Sequence, residues 1–214
     1  MAQQLSQKSQ RRILKPLVFV ISLLPLAWLG FALYSDTVLN TRYLTHDPVQ
    51  KLDRELGDWA LIFVIVTLAV RPAQEILGSK EIIAYRRMIG LFAFFYVFLH
   101  LTSYTLLNLQ FNFNEFLVDV AKRPFITIGI VNFVLLAAMA ATSSRRMIRR
   151  LGSRVWRRLH MVIYVAAVLG LIHFIMMIRA DFSRPFIYGA LIALLLGYRL
   201  WAARQKLAGG LSRR

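Results

Sequence analysis

Residues 159–178 read LHMVIYVAAVLGLIHFIMMI. The stretch holds 20 residues, no formal charge when histidine is counted as neutral, and two histidines thirteen positions apart. About 20 apolar residues, rising about 1.5 Å each, take a helix across the hydrocarbon core of a bilayer. The stretch therefore predicts a membrane-spanning helix. A titratable side chain within such a helix costs a few kcal/mol unless something binds it. His160 and His173 thus call for partners, and neutral imidazole is both the commonest metal ligand and a standard axial ligand of haem iron.

Working outward, residues 16–34, 88–107 and 124–142 form three more uncharged apolar runs of 19 or 20 residues. Two shorter runs, 59–70 and 185–198, complete a set of six, the last extending past Arg199 if its side chain snorkels. The run 59–70 is short for a span, but the charge pattern requires one there. With the N-terminus on the cytoplasmic side, the N-terminal tail, residues 71–87, residues 145–158 and the segment from Arg199 carry 4, 4, 7 and 5 basic residues, 20 of the 27. Acidic residues divide the other way, 2 inside and 8 outside. This is a positive-inside pattern, and omitting the second span would put two basic blocks on the wrong side. The expected fold is all-α: an integral membrane six-helix bundle with both termini cytoplasmic. Its expected parts are a basic tail at 1–15, a transmembrane domain at 16–203 and a second basic tail at 204–214.

The same asymmetry decides how the net charge of +17 is read. It anchors topology and attracts anionic lipid headgroups, above all through RRMIRRLGSRVWRR, and it does not mark nucleic-acid binding. The absence of cysteine excludes disulfides, thiolate haem ligation, cysteine-held iron–sulfur clusters and covalent haem attachment. The first apolar run exceeds a signal-peptide core and lacks a small-residue cleavage site after it, so it reads as a retained helix. No nucleotide-binding glycine pattern is present, so electrons, if they enter, come from another molecule. Outside, residues 35–58 read as a polar loop containing His46, a solvated residue, and residues 108–123 read as a loop that could hold a short surface helix.

His100, in MIGLFAFFYVFLHLTSYTLL, supplies the partner for His173. Counted at about 1.5 Å per residue from the cytoplasmic ends of their helices, His100 lies roughly 18 Å deep and His173 roughly 21 Å. Two imidazoles at one depth on two helices suit bis-histidine coordination of a haem b wedged in the bundle. His160 lies about 20 Å from His173, at the cytoplasmic edge. There it would suit a second haem, or simply pack near Trp156. The position opposite it holds Arg87 and not a histidine, so a second haem would need Met88, water or a non-protein ligand. Arg86, Arg87, Arg157 and Arg158 are candidates to pair with haem propionates or a flavin phosphate, since guanidinium suits planar anions.

The stretches RRMIGLFAFFYVFLHLTSY, RPFITIGI, DPVQKLDRELGDWAL and TSSRRMIRRLGSRVWRRLHMVIYVAAVLGLIHF resemble the MsrQ (YedZ) family of the ferric-reductase-like transmembrane group. The likeness covers nearly all of residues 15–203, and its R-x-L-G-x-x-W-x-x-L-H pattern is specific. It implies haem b and FMN as cofactors, and the family's three membrane histidines fall on His100, His160 and His173. It implies a location in the bacterial inner membrane. The implied role is to relay electrons from the quinone pool or a cytosolic flavin reductase to a periplasmic, molybdenum-containing methionine sulfoxide reductase (MsrP-like) that repairs oxidised envelope proteins. Two other readings are a self-sufficient membrane reductase acting on ferric iron or another small acceptor, and a non-redox haem assembly protein or transporter. The latter would more often carry intramembrane carboxylates, and none lies in the four long spans.

Overall fold

The computed structural model describes residues 2–79, 81–178 and 180–211, and among these every regular element is helical. Of the basic residues counted above, Lys80, Arg179, Arg213 and Arg214 lie outside the described residues, as do the side chains of Lys8, Arg11, Arg12 and Lys206. The helices are α1 (Ala2–Val38), α2 (Pro48–Leu77), α3 (Arg86–Ser103), α4 (Phe113–Lys122), α5 (Pro124–Ala141), α6 (Arg145–His160), α7 (Ile163–Met177) and α8 (Ser183–Leu211). Six segments are long and apolar enough to span: Ile13–Val38, Pro48–Leu77, Ile82–Asn108, Pro124–Ala141, Arg145–Met177 and Ser183–Gln205.

α2 is the hub. It packs most extensively on α3 and also touches α1, α7 and α8. Half of its most apolar window is buried inside the protein, against 11–22 % for the other five spans. A helix sheathed by protein has little need of a lipid-facing surface, which explains why its uncharged run in the sequence is so short. The helix itself is 30 residues long. It begins eleven residues before the apolar run because Asp47 caps it, accepting from the Gln50 amide at 2.9 Å, with Pro48 in the first turn. The expectation of a polar loop over residues 35–58 is corrected accordingly. Residues 35–38 finish α1, 48–58 are the outer end of α2, and only the segment between the two helices, with exposed His46, is loop.

α1 crosses beside α2 and α3 with Pro25 in its interior. There the Tyr96 hydroxyl donates to the Ser22 carbonyl at 2.8 Å and accepts from the Leu26 amide at 3.2 Å. A side chain from α3 thus occupies the gap where α1 would bond to itself, and it satisfies both backbone groups beside the proline. Tyr96 is fully buried and stacks on Phe63 of α2, with ring centroids 5.1 Å apart. Of the aromatics of the third span, Phe92 also faces the core, while Phe98 is exposed.

A π-turn over Tyr104–Asn108 extends α3 outward. The connection beyond it holds a short surface helix, α4, fixed by a bond from the Tyr104 hydroxyl to the buried Asp119 carboxylate and by an Arg123–Asp119 pair at 3.1 Å. α5 packs chiefly on α7. The arginine-rich segment forms α6, which breaks at Gly152, where φ is +76°, and runs into α7 through a two-residue turn containing Met161 and Val162.

Candidate functional site

His100 lies in the last turn of α3 and His173 one turn from the end of α7. Their rings face each other across the bundle with centroids 6.2 Å apart and planes at 78°. An imidazole nitrogen binds a transition metal at about 2.0–2.1 Å, and the ring centre lies roughly 1.1 Å behind it, so two imidazoles on opposite sides of one metal have centroids about 6.3 Å apart. The observed spacing matches that value.

Each ring is held by its other nitrogen. Nδ1 of His173 is 2.7 Å from the Phe125 carbonyl oxygen at the start of α5. Nδ1 of His100 is 2.8 Å from the Asp53 carbonyl oxygen, and the Asp53 carboxylate approaches the same nitrogen at 3.2 Å. Both contacts have the form that orients metal-bound histidines: an N–H donated to an outer acceptor fixes the tautomer and leaves Nε2 as the ligating atom. Each ring also lies over a glycine of the adjacent helix. A Cβ at Gly57 would come 3.3 Å from His100 Cε1, and one at Gly129 would come 3.0 Å from His173 Cε1.

The histidines project into a cavity of about 610 Å³. Its inner reach is mostly apolar, with Val64, Leu136 and Ala166 and one polar exception, Asn132, whose Oδ1 is buried without a partner; its outer rim carries Lys51, Arg54, Asp181 and Arg184. From Asp53 to Val64 on α2 is eleven residues, or about 16 Å of depth. Among the described residues no group of three or more His, Cys, Asp or Glu side chains could hold a metal ion. The pair therefore suits a metal that brings its remaining ligands with it. An apolar slot, two opposed imidazoles and a charged rim fit the flat apolar body and anionic edge of a haem.

The structure brings together two of the three membrane histidines. His160 is elsewhere, at the junction of α6 and α7. Its Nδ1 lies 3.1 Å from the Trp156 carbonyl oxygen and its Nε2 lies 3.4 Å from Ser143 Oγ, while the ring stacks on Trp156 at 4.0 Å. Arg86, Arg87, Arg157 and Arg158 do not line the cavity. Arg86 is half-buried and the other three are exposed. The cations at the rim are Lys51, Arg54 and Arg184 instead. Lys51 pairs with Glu55 at 2.8 Å, and Arg184 reaches from α8 to the buried Asp58. Asp53 and Gly57 stand four residues apart on α2, one helical turn, in a segment whose sequence reads as loop. The signal that could have found them is the Asp47-Pro48 helix start, which carries the helix out to the depth of His100.

Comparison with known proteins places these features in context. The family model described as "Ferric reductase like transmembrane component" matches residues 18–171. A protein-methionine-sulfoxide reductase heme-binding subunit MsrQ from Polaromonas naphthalenivorans is 45 % identical over 190 residues, covering 87 % of this chain and 84 % of that protein. The MsrQ of Rhodospirillum rubrum is 41 % identical over 203 residues, covering 95 % of each. The magnetosome protein MamZ of Paramagnetospirillum magneticum is 42 % identical over 185 residues, which are 86 % of this chain but 29 % of that protein.

Proposed function

The chain belongs to the ferric-reductase-like transmembrane family and, within it, to the MsrQ heme-binding subunits; from that premise we propose that it is a membrane b-type cytochrome serving a methionine sulfoxide reductase system. The observation that carries the reading is the opposed His100–His173 pair, with centroids 6.2 Å apart and both Nδ1 atoms anchored.

His100 and His173 would hold the iron of a haem b, which supplies a one-electron couple when bound. The chain's own contribution is to fix geometry and environment. The Asp53 and Phe125 carbonyls hold the imidazoles in one tautomer. Gly57 and Gly129 admit the rings close to the helix backbones. The mostly apolar inner wall, with Asn132 its polar exception, limits water at the site, and Lys51, Arg54 and Arg184 offer positive charge where the cavity opens outward. At His160 the Nδ1 contact with the Trp156 carbonyl has the same form as at the other two histidines, and Nε2 would have to give up only its 3.4 Å contact with Ser143; no second histidine faces it, so one bis-histidine centre per chain is the simpler arrangement.

The likeness to MsrQ subunits supports a wider role. Electrons would come from the quinone pool or a cytosolic flavin reductase and pass to a periplasmic, molybdenum-containing MsrP-like reductase, with both chain termini cytoplasmic in the bacterial inner membrane. The basic residues of the cytoplasmic side, Arg86, Arg87, Arg157 and Arg158 among them, suit an FMN phosphate. The acidic outer face, including α4 and the outer end of α2, suits the partner. The test is a reduced-minus-oxidised spectrum with haem quantitation on the wild type and on His100→Ala, His173→Ala and His160→Ala. Loss of a low-spin b-type signal in the first two supports the reading; a haem-free wild type expressed with ample haem defeats it. Turnover of ferric iron without any partner would instead favour a self-sufficient reductase.

A further inference from the structure

His100 and His173 are both tied through Nδ1, but not to equivalent groups. His173 meets a neutral backbone carbonyl, that of Phe125, at 2.7 Å. His100 meets the Asp53 carbonyl at 2.8 Å and, on the same nitrogen, the Asp53 carboxylate at 3.2 Å. The Asp53 side chain is 15 % exposed, and its Oδ1 is buried without a hydrogen-bond partner, the 3.2 Å approach to His100 being a charge contact beside the carbonyl bond. Two of the three rim cations are engaged by other carboxylates, Lys51 by Glu55 at 2.8 Å and Arg184 by Asp58 and, at 3.7 Å, by Glu55; the third, Arg54, pairs with neither Asp53 nor another described carboxylate. Among the described residues no Lys or Arg forms an ion pair with Asp53, so its negative charge is directed at the imidazole.

We infer that Asp53 is a positioning and tuning residue: its carboxylate, held behind His100, makes His100 the more strongly donating of the two axial ligands and holds the potential of the centre low. The inference rests on the haem reading above. A carboxylate at the outer nitrogen of a ligating imidazole raises the basicity of the ligating one. It also places a fixed negative charge near the metal within a low-dielectric wall, where charge interactions are several-fold stronger than in water. Both effects favour the more positive, oxidised metal. Axial-ligand character and second-shell hydrogen bonding are the levers by which a protein sets a haem potential.

α2 supplies both halves of this arrangement. Gly57 makes room for the ring and Asp53, one turn outward, fixes it. The backbone carbonyl bond survives any side-chain change at position 53, so the orientation of His100 and its donor strength can be separated by substitution.

The experiment is a spectroelectrochemical titration of the haem-loaded, full-length protein carrying Asp53→Asn, beside the wild type, Asp53→Glu and Glu55→Gln. Glu55→Gln removes a negative charge from the same cavity wall without touching either histidine. The expected result is an unchanged low-spin spectrum and haem content for Asp53→Asn. Its midpoint potential moves positive, by more than that of Glu55→Gln, while Asp53→Glu stays nearer the wild type. A potential for Asp53→Asn equal to the wild type, or shifted no further than Glu55→Gln, overturns the role of Asp53. If Asp53→Asn fails to retain haem, the same titration on Asp53→Ser decides by the same two outcomes. Failure of the underlying reading looks different: the wild type then lacks a low-spin signal, or His100→Ala and His173→Ala keep it.

Discussion

Gly129 of α5 lies directly beneath the imidazole of His173: a Cβ at that position would sit 3.0 Å from Cε1 and 3.1 Å from Nδ1. The ring cannot retreat without lengthening its 2.7 Å bond to the Phe125 carbonyl. Gly57 stands in the same relation to His100, at a looser 3.3 and 3.4 Å. Overpacking of this kind costs about 1–3 kcal/mol. Gly129→Ala should therefore lose more bound haem during purification than Gly57→Ala, and both more than Gly30→Ala, where an added Cβ meets nothing within 4 Å. Equal haem retention in all three would mean that the glycines are not what seats the rings.

The Tyr96 hydroxyl stands in for a missing turn of α1, between the Ser22 carbonyl and the Leu26 amide. Tyr96→Phe keeps the stacking on Phe63 but strands two backbone groups in a span, where no bulk water can replace the lost bonds. A loss of about 1–3 kcal/mol is expected. It would be read as a lower thermal unfolding midpoint in detergent, with the haem spectrum unchanged because Tyr96 lies off the cavity. An unaltered midpoint would show that α1 closes its own hydrogen bonds at Pro25.

Asp58 is buried at 5 % exposure, and Arg184 from α8 is its counter-ion. Arg184→Gln removes the directly bonded cation and leaves a buried carboxylate whose remaining charged neighbours are Glu55 and Lys51. Breaking a buried pair costs several kcal/mol; because the arginine is itself half-exposed, about 2–3 kcal/mol is expected here. Asp58→Asn combined with Arg184→Gln should recover most of that loss, since the uncompensated charge is then gone. A double-mutant cycle measured by thermal unfolding checks this, and a strictly additive cycle would argue that the two side chains do not act as a pair.

Six spans and the approach of His100 to His173 are legible in the sequence because both depend on depth alone. Run length, with the charge asymmetry that demands the short second run, sets the spans, and residue count along two helices that start from the same side sets the depth of a histidine. What depth cannot supply is rotation about a helix axis, and that is where the neighbours of the site are hidden. Asp53 and Gly57 face the His100 ring because α2 is turned that way, and their segment is too polar to be recognised as helix by hydropathy. The four candidate arginines stand in two adjacent pairs, at 86–87 and 157–158, next to the ends of apolar runs, while the cations at the cavity, Lys51, Arg54 and Arg184, come from two segments that read as loops and meet only in the folded chain. His160 shows the same limit from the other side. Its chain position suggests a ligand, and only the fold shows that its Nδ1 meets the Trp156 carbonyl while its Nε2 lies 3.4 Å from Ser143 Oγ and faces no second histidine.

That placement of His160 leads to a prediction separating it from the pair. Its ring closes the end of α6 by stacking on Trp156 at 4.0 Å, and Trp156 in turn donates through Nε1 to the Thr142 carbonyl at 3.1 Å. The three residues thus fasten α6 to the end of α5. His160→Gln retains a side chain able to bond to Ser143 but loses the aromatic stack, worth about 0.5–1.5 kcal/mol. The expected result is a modest fall in thermal stability, one haem per chain as in the wild type, and an unchanged low-spin spectrum and midpoint potential. His173→Ala should instead abolish the low-spin signal, because no other described histidine faces His100 within the cavity. If haem quantitation gives two per wild-type chain and His160→Gln removes one of them with its own potential, Nε2 must give up Ser143 on loading, and a second centre then lies at the junction of α6 and α7.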